Sequence, residues 1–151
     1  MAWIEGTEEQ TFVVNASYQD VVDFFNDPAT FRECLSQIES AEEVEEGVWH
    51  WVLEEKAEKG IKYQADYTVK YETTDDGQGK WHTLEGNMRS EGVVECSEVD
   101  EGRTEVHYKE TIATDLPIPK LMAKVFRPIV AREIRKGVGS FLDCARARFG
   151  S

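Results

Sequence analysis

The sequence predicts an α+β fold in which a curved antiparallel sheet of about seven strands packs around one long C-terminal helix. The element order is one strand, two short helices, six strands and the helix. Three observations carry this. Residues 61–72 (IKYQADYTVKYE) alternate strictly, with Ile61, Tyr63, Ala65, Tyr67, Val69 and Tyr71 on one side and Lys62, Gln64, Asp66, Thr68, Lys70 and Glu72 on the other. That is the period of a strand with one buried and one wet face. The strand-like segments are joined by turns of a few residues, too short for the crossovers that parallel pairing needs. Over residues 118–149 the apolar spacing switches to that of a helix.

In chain order, residues 10–15 (QTFVVN) form a short strand rich in β-branched and aromatic side chains. Ser17 stands three residues ahead of Asp20, a relative of the capping box, and Val21, Val22, Phe24 and Phe25 follow at helical spacing. A short helix therefore runs to about Asn26. Asp27-Pro28 ends it, and Pro28 opens a second brief helix through Phe31, Cys34 and Leu35. Strands are expected over 38–45, over 48–58 after a Gly47 turn, and over 61–72 after Gly60. The run Asp75-Asp76-Gly77-Gln78-Gly79 turns the chain into strands at 80–85, 88–99 and 104–114, the last two joined across Asp100-Glu101-Gly102.

In the final helix, at about 100° per residue, Ile118, Leu121, Met122, Val125, Phe126 and Ile129 share one side. Ile134, Val138, Phe141, Ala145 and Phe149 lie nearly opposite. A straight helix cannot bury both stripes against one sheet. Pro128 stands at the change of phase, so a kink or break is expected there.

At 151 residues and 17.2 kDa the chain suits one domain, residues 1–151, with a sizeable core. Seventeen basic against 30 acidic residues leave a net charge of −13 and a pI near 4.6, which excludes a whole-surface nucleic-acid binder. The charge is uneven. Residues 116–151 carry eight basic residues against Glu133 and Asp143, a local charge of +6, while the first 115 carry nine against 28, or −19. The basic segment either docks on the acidic body or presents a basic face to something anionic. Adaptation to a high-salt environment is a further reading of the acidity.

The N-terminus has no basic region followed by an apolar run, so the expected compartment is the cytoplasm. Cys34, Cys96 and Cys144 are odd in number, widely spaced and without a CxxC pair, and are expected to be reduced core thiols. His50, His82 and His107 lack the spacing of metal ligands. Strand parity places His50 and His107 on the solvent face and leaves His82 ambiguous. With no GxSxG, phosphate loop or GxGxxG, neither a metal nor a cofactor is expected.

Residues 11–47 (TFVVNASYQDVVDFFNDPATFRECLSQIESAEEVEEG), 79–110 (GKWHTLEGNMRSEGVVECSEVDEGRTEVHYKE) and 116–149 (LPIPKLMAKVFRPIVAREIRKGVGSFLDCARARF) resemble the START/birch-pollen-allergen-like superfamily of polyketide cyclases, dehydrases and lipid-transport proteins. Within it, NDPATFRECLSQIES is most similar to the branch containing the CoxG component of carbon monoxide dehydrogenase. The resemblance implies the helix-grip fold. It also implies a cavity between sheet and helix for a hydrophobic small molecule such as a lipid, quinone, sterol or polyketide. Polyketide cyclase, aromatase or dehydratase chemistry is the alternative, as is an accessory protein that delivers or anchors a partner complex.

The residues expected to line such a cavity are Trp49, Trp51, Leu53, Tyr63, Tyr67, Tyr71, Trp81, Tyr108 and Ile112 of the sheet, facing Met122, Val125, Phe126 and Ile129 of the helix. The plainer reading of the same aromatics is a filled core. Glu110 is in phase with Val106, Tyr108 and Ile112 and should point inward. There it would serve either as a general acid or base, or as an ion-pair partner of Arg132 or Arg135. The helix also interleaves Leu116, Ile118, Leu121, Met122 and Phe126 with Lys120, Lys124 and Arg127, a pattern that suits peripheral contact with an anionic membrane. No protein partner is indicated.

Overall fold

The computed structural model describes residues 2–150. The chain runs through β1 (Ala2–Val14), α1 (Tyr18–Phe25), α2 (Pro28–Phe31), a 3₁₀ turn (Arg32–Cys34), β2 (Ile38–Glu45), β3 (Val48–Leu53), β4 (Lys56–Glu58) and β5 (Ile61–Tyr63). It continues through β6 (Asp66–Thr73), β7 (Gly79–Gly86), β8 (Met88–Asp100), β9 (Arg103–Leu116), a 3₁₀ turn (Lys120–Met122) and α3 (Ala123–Phe149). Seven strands form one antiparallel sheet in the order β1-β9-β8-β7-β6-β3-β2, and α3 packs on it: the expected α+β helix-grip architecture.

The local signals read from the sequence operate as expected at the N-terminal elbow. Ser17 caps α1 by accepting from the Asp20 N–H, and Asp27 caps α2 by accepting from the Ala29 N–H with Pro28 in the first turn. Tertiary pairing changes the strands. β1 begins at Ala2 rather than residue 10, because its polar first half is held in register along β9, from Ala2 opposite Leu116 to Val14 opposite Thr104. The long strands expected over 48–58 and 61–72 each break in two. Their inner ends form the separate hairpin β4–β5, turned at Lys59 and Gly60, both at positive φ as a two-residue hairpin loop requires.

Helix α3 corrects a second expectation, since it runs through Pro128 as one segment with no break. The two apolar stripes are reconciled by leaving one of them out. Phe126, Val130, Ile134, Val138, Phe141, Leu142 and Ala145, three or four residues apart, are buried against the sheet. Leu121, Met122 and Val125 remain exposed. Pro128 lies early in the helix, where the loss of one backbone hydrogen bond is tolerated more easily than at its centre.

The cysteines correct a third. Cys96 is a buried free thiol, and burial pushes its pKa up to about 11. Cys34 and Cys144 instead form a disulfide, with Cα atoms 5.5 Å apart across 110 residues of sequence. Spacing could not reveal this pair, because only the packing of the 3₁₀ turn on α3 brings the two together. None of the helices is long and apolar enough to cross a membrane.

The histidines lie outside the core. His50 pairs with Asp66 at 2.6 Å, His107 sits between Glu9 and Glu95, and His82 is exposed. Among the described residues no group of side chains is arranged to hold a metal ion.

Replacing Cys34 and Cys144 together by serine is expected to cost about 2–4 kcal/mol, a fall in Tm of roughly 5–15 °C at this chain length, read by thermal unfolding. Thiol titration of the denatured wild type should find Cys96 alone before reduction and all three cysteines after it.

Candidate functional site: an aromatic cavity with an enclosed carboxyl

The inner face of the sheet, α3 and the α1–α2 elbow enclose a cavity of about 550 Å³, within the range of small-molecule sites. Of the residues expected to line it, Trp51, Leu53, Tyr63, Tyr67, Tyr71, Trp81, Tyr108, Ile112, Phe126 and Ile129 do so, together with Glu110. Strand parity finds these because it survives the breaks: Ile61, Tyr63, Ala65, Tyr67 and Tyr71 all reach the cavity although β5 and β6 are separate strands.

Three expected residues do not line it. Trp49 is buried but stacks on Trp51, ring centroids 5.7 Å apart, instead of facing the space. Met122 and Val125 point to solvent, on the stripe that α3 leaves out. Other lining residues escaped the sequence reading, among them Phe25 and Phe31 of the elbow, Phe141 and Val138 of α3, and Ser90 of β8. Ser90 shares the strand parity of Met88 and Val94, which also line the cavity, so alternation along β8 held that signal.

Glu110 is the charged centre of the site. Its Oε1 accepts from the Tyr108 hydroxyl at 2.7 Å, and its Oε2 accepts from Ser90 Oγ at 2.5 Å. Ser90 Oγ in turn accepts from Trp81 Nε1 at 2.9 Å, and the Ser90 N–H donates to Thr83 Oγ1 at 2.7 Å. Gly92, opposite Glu110 in the β8–β9 ladder, makes room for this arrangement. A Cβ there would lie 2.6 Å from the Trp81 ring and 2.3 Å from the Lys109 carbonyl oxygen.

The expected arginine pairing is not found. Arg132 binds Glu58 and Glu133, and Arg135 has no carboxylate partner among the described residues. Without a cation, burial dominates and raises the pKa of Glu110, against the opposing effect of the Ser90 and Tyr108 hydrogen bonds. Protein surrounds the carboxyl on all sides, while part of its surface stays open to the cavity. Burial and the nearby carboxylate also raise the hydroxyl pKa values of Tyr67, Tyr71 and Tyr108, so these phenols remain hydrogen-bond donors. The Trp51 indole N–H faces the Tyr71 oxygen without closing a hydrogen bond. The site is thus an aromatic container with one polar region, fit to hold an apolar body and read a polar group upon it.

Hairpin β4–β5 covers one side. Lys56, Ala57, Glu58 and Ile61 line the cavity, and two ion pairs hold the hairpin to α3: Lys56–Glu133 at 3.0 Å and Glu58–Arg132 at 2.9 Å. Exposed pairs contribute little stability. The hairpin has no second sheet neighbour, so it is the part of the wall that opens most easily.

Substituting Glu110 by Gln keeps the shape and removes the ionisation. A carboxyl whose folded pKa is raised binds more protons folded than unfolded, so the wild type loses stability relative to Glu110→Gln as pH rises from about 4.5 through the folded pKa. The gap should change by at most about 1.4 kcal/mol per pH unit and then level off, as measured by urea unfolding of both proteins across that range.

Comparison with known proteins agrees with this geometry. The carbon monoxide dehydrogenase CoxG family matches residues 11–140. No curated protein matches the chain. Among solved structures, TTHA0849 from Thermus thermophilus is 21% identical with a TM-score of 0.73, covering 95% of this chain and 97% of that one. A START superfamily protein from Mycobacterium smegmatis is 12% identical with a TM-score of 0.71, covering 95% and 96%. The Zhui aromatase/cyclase from Streptomyces sp. R1128 is 14% identical with a TM-score of 0.72, covering 95% and 93%. At such identities the likeness is one of fold. With 130 consecutive positions matched, and with the START-like architecture of its structural neighbours, the chain belongs to the carbon monoxide dehydrogenase CoxG family.

Proposed function

We propose that this protein binds a hydrophobic small molecule carrying one polar group, in the cavity between sheet and α3. The observation that carries the proposal is the cavity of about 550 Å³, aromatic over most of its wall and furnished with an enclosed carboxyl already oriented by Ser90 and Tyr108. A filled core would not leave such a space, since protein interiors pack to crystal-like density. An apolar ligand body, such as that of a lipid, quinone, sterol or polyketide, gains roughly 25 cal/mol per Å² buried. The polar group is received by Glu110 and by the hydroxyls of Tyr67 and Tyr71. Carriage or delivery of the ligand to a partner complex fits a member of the CoxG family.

One observation favours a second reading. A carboxyl biased towards its protonated form beside donor phenols is equipped for general acid–base work on an enolisable chain, and one structural neighbour is an aromatase/cyclase. In that case the cavity would fold the chain and Glu110 would move the proton.

Mass spectrometry of an organic extract of the purified, denatured protein separates these readings. For a carrier, the wild type should yield a hydrophobic molecule, Glu110→Gln should yield the same molecule in smaller amount, and Ile112→Trp, which fills the space, should yield little. For a dehydrating cyclase, Glu110→Gln should retain a precursor heavier by one water than the compound held by the wild type. A wild-type protein that yields nothing, and that fails to take up a hydrophobic naphthalene-sulfonate dye, would rule out the binding proposal.

A further inference from the structure

We infer that the exposed turn leading into α3, built on Leu121, Met122 and Val125, docks on an anionic lipid membrane. Leu121 is 93% exposed, Met122 40% and Val125 44%, although every one of them belongs to the apolar stripe of the helix. Neighbouring apolar residues behave otherwise: Leu116, Ile118 and Phe126 are buried on either side of the turn. The exposed group is therefore a protrusion anchored to the core at both ends.

Charge selects the surface it meets. Lys120, Lys124 and Arg127 surround the protrusion, all exposed and none in an ion pair among the described residues. No carboxylate occurs from Leu116 to Ala131. Asp115, just before, has its Oδ1 buried, and Glu133, just after, is engaged by Lys56 and Arg132. In a chain of net charge −13 this is a local reversal of sign. The later part of α3 differs, since Arg132, Arg146 and Arg148 are paired with Glu58, Asp143 and Glu33.

The shape argues for lipid over protein. A convex tip of three side chains falls far short of the ~800 Å² per partner that a stable protein interface buries. It can enter the headgroup boundary of a bilayer, where apolar tips and cations act together. The position adds a reason: Leu116, Phe126 and Ile129, which flank the turn, line the cavity, so docking would bring one end of the cavity to the lipid. The docking itself does not depend on what the cavity holds.

Flotation with vesicles of phosphatidylcholine, alone or mixed with phosphatidylglycerol, tests this at low ionic strength. The wild type should float with the mixed vesicles and not with the neutral ones, against the repulsion its net charge produces. Each cation near an anionic surface contributes about five-fold. Converting Lys120, Lys124 and Arg127 together to Gln should thus weaken binding about 100-fold. Leu121→Ser should weaken it about ten-fold or more, with the melting temperature unchanged because the side chain is already in water. Absence of flotation, equal flotation with both vesicle types, or undiminished flotation of these variants would overturn the inference. A concentration-dependent dimer of the wild type that Leu121→Ser abolishes would also overturn it and assign the turn to a second copy of the chain.

Discussion

The ring of Phe141 is the point on which the helix and the sheet agree. It meets Phe24 at 6.5 Å, Phe25 at 6.2 Å, Phe31 at 5.8 Å and Tyr108 at 5.9 Å between centroids. It thereby joins α3, the α1–α2 elbow and the central strand β9 in one aromatic cluster, and rigid rings that meet edge to face or tilted resist collapse onto one another. One turn further along α3, the Cys34–Cys144 bridge ties the same elbow to the same helix. The elbow is thus held from two adjacent positions, and the cavity lies on the side of the cluster where the sheet curves away from the helix.

Leaving such a space inside a small domain costs packing energy, and enclosing a carboxyl in it costs solvation. Both costs are moderated locally. Trp51, Trp81, Tyr71 and Tyr108 support one another by ring contacts around the space. Glu110 receives two hydrogen bonds from groups that are themselves bonded or rigid, with Trp81 and Thr83 fixing Ser90. A network of this kind orients its acceptor atoms before any ligand arrives, which lowers the entropic cost of recognition.

The charge asymmetry of the chain divides along α3. Its middle and end are fastened to the acidic body through Glu133 with Lys56, Arg132 with Glu58 and Arg148 with Glu33. Its beginning keeps unpaired cations around an exposed apolar tip. Docking on the body and presentation of a basic face therefore hold for different turns of one helix. The fastened part also carries the ion pairs that close hairpin β4–β5 over the cavity, so the electrostatics that seat the helix also shut one wall.

Local pattern by itself determined the class of fold, the elbow capped by Ser17 and Asp27, the positions of β6 to β9, and the inward phase of Tyr67, Tyr71, Trp81, Tyr108 and Glu110. Each of these depends on interactions within a few residues or on a period of two, and such information lies along the chain. Relations between distant segments were decided only by the tertiary structure. The polar residues before Gln10 become strand because β9 offers them a ladder, and Cys34 finds Cys144 because the 3₁₀ turn packs on α3. Ser90, not an arginine, meets Glu110 because β8 and β9 are neighbours in register while Arg132 is drawn to Glu58. The two stripes of α3 were visible from the start, but whether the helix would break or expose one of them depended on how much sheet there was to cover. A single concave face accommodates one stripe, so Phe126 to Ala145 turned inward and Leu121, Met122 and Val125 stayed in water.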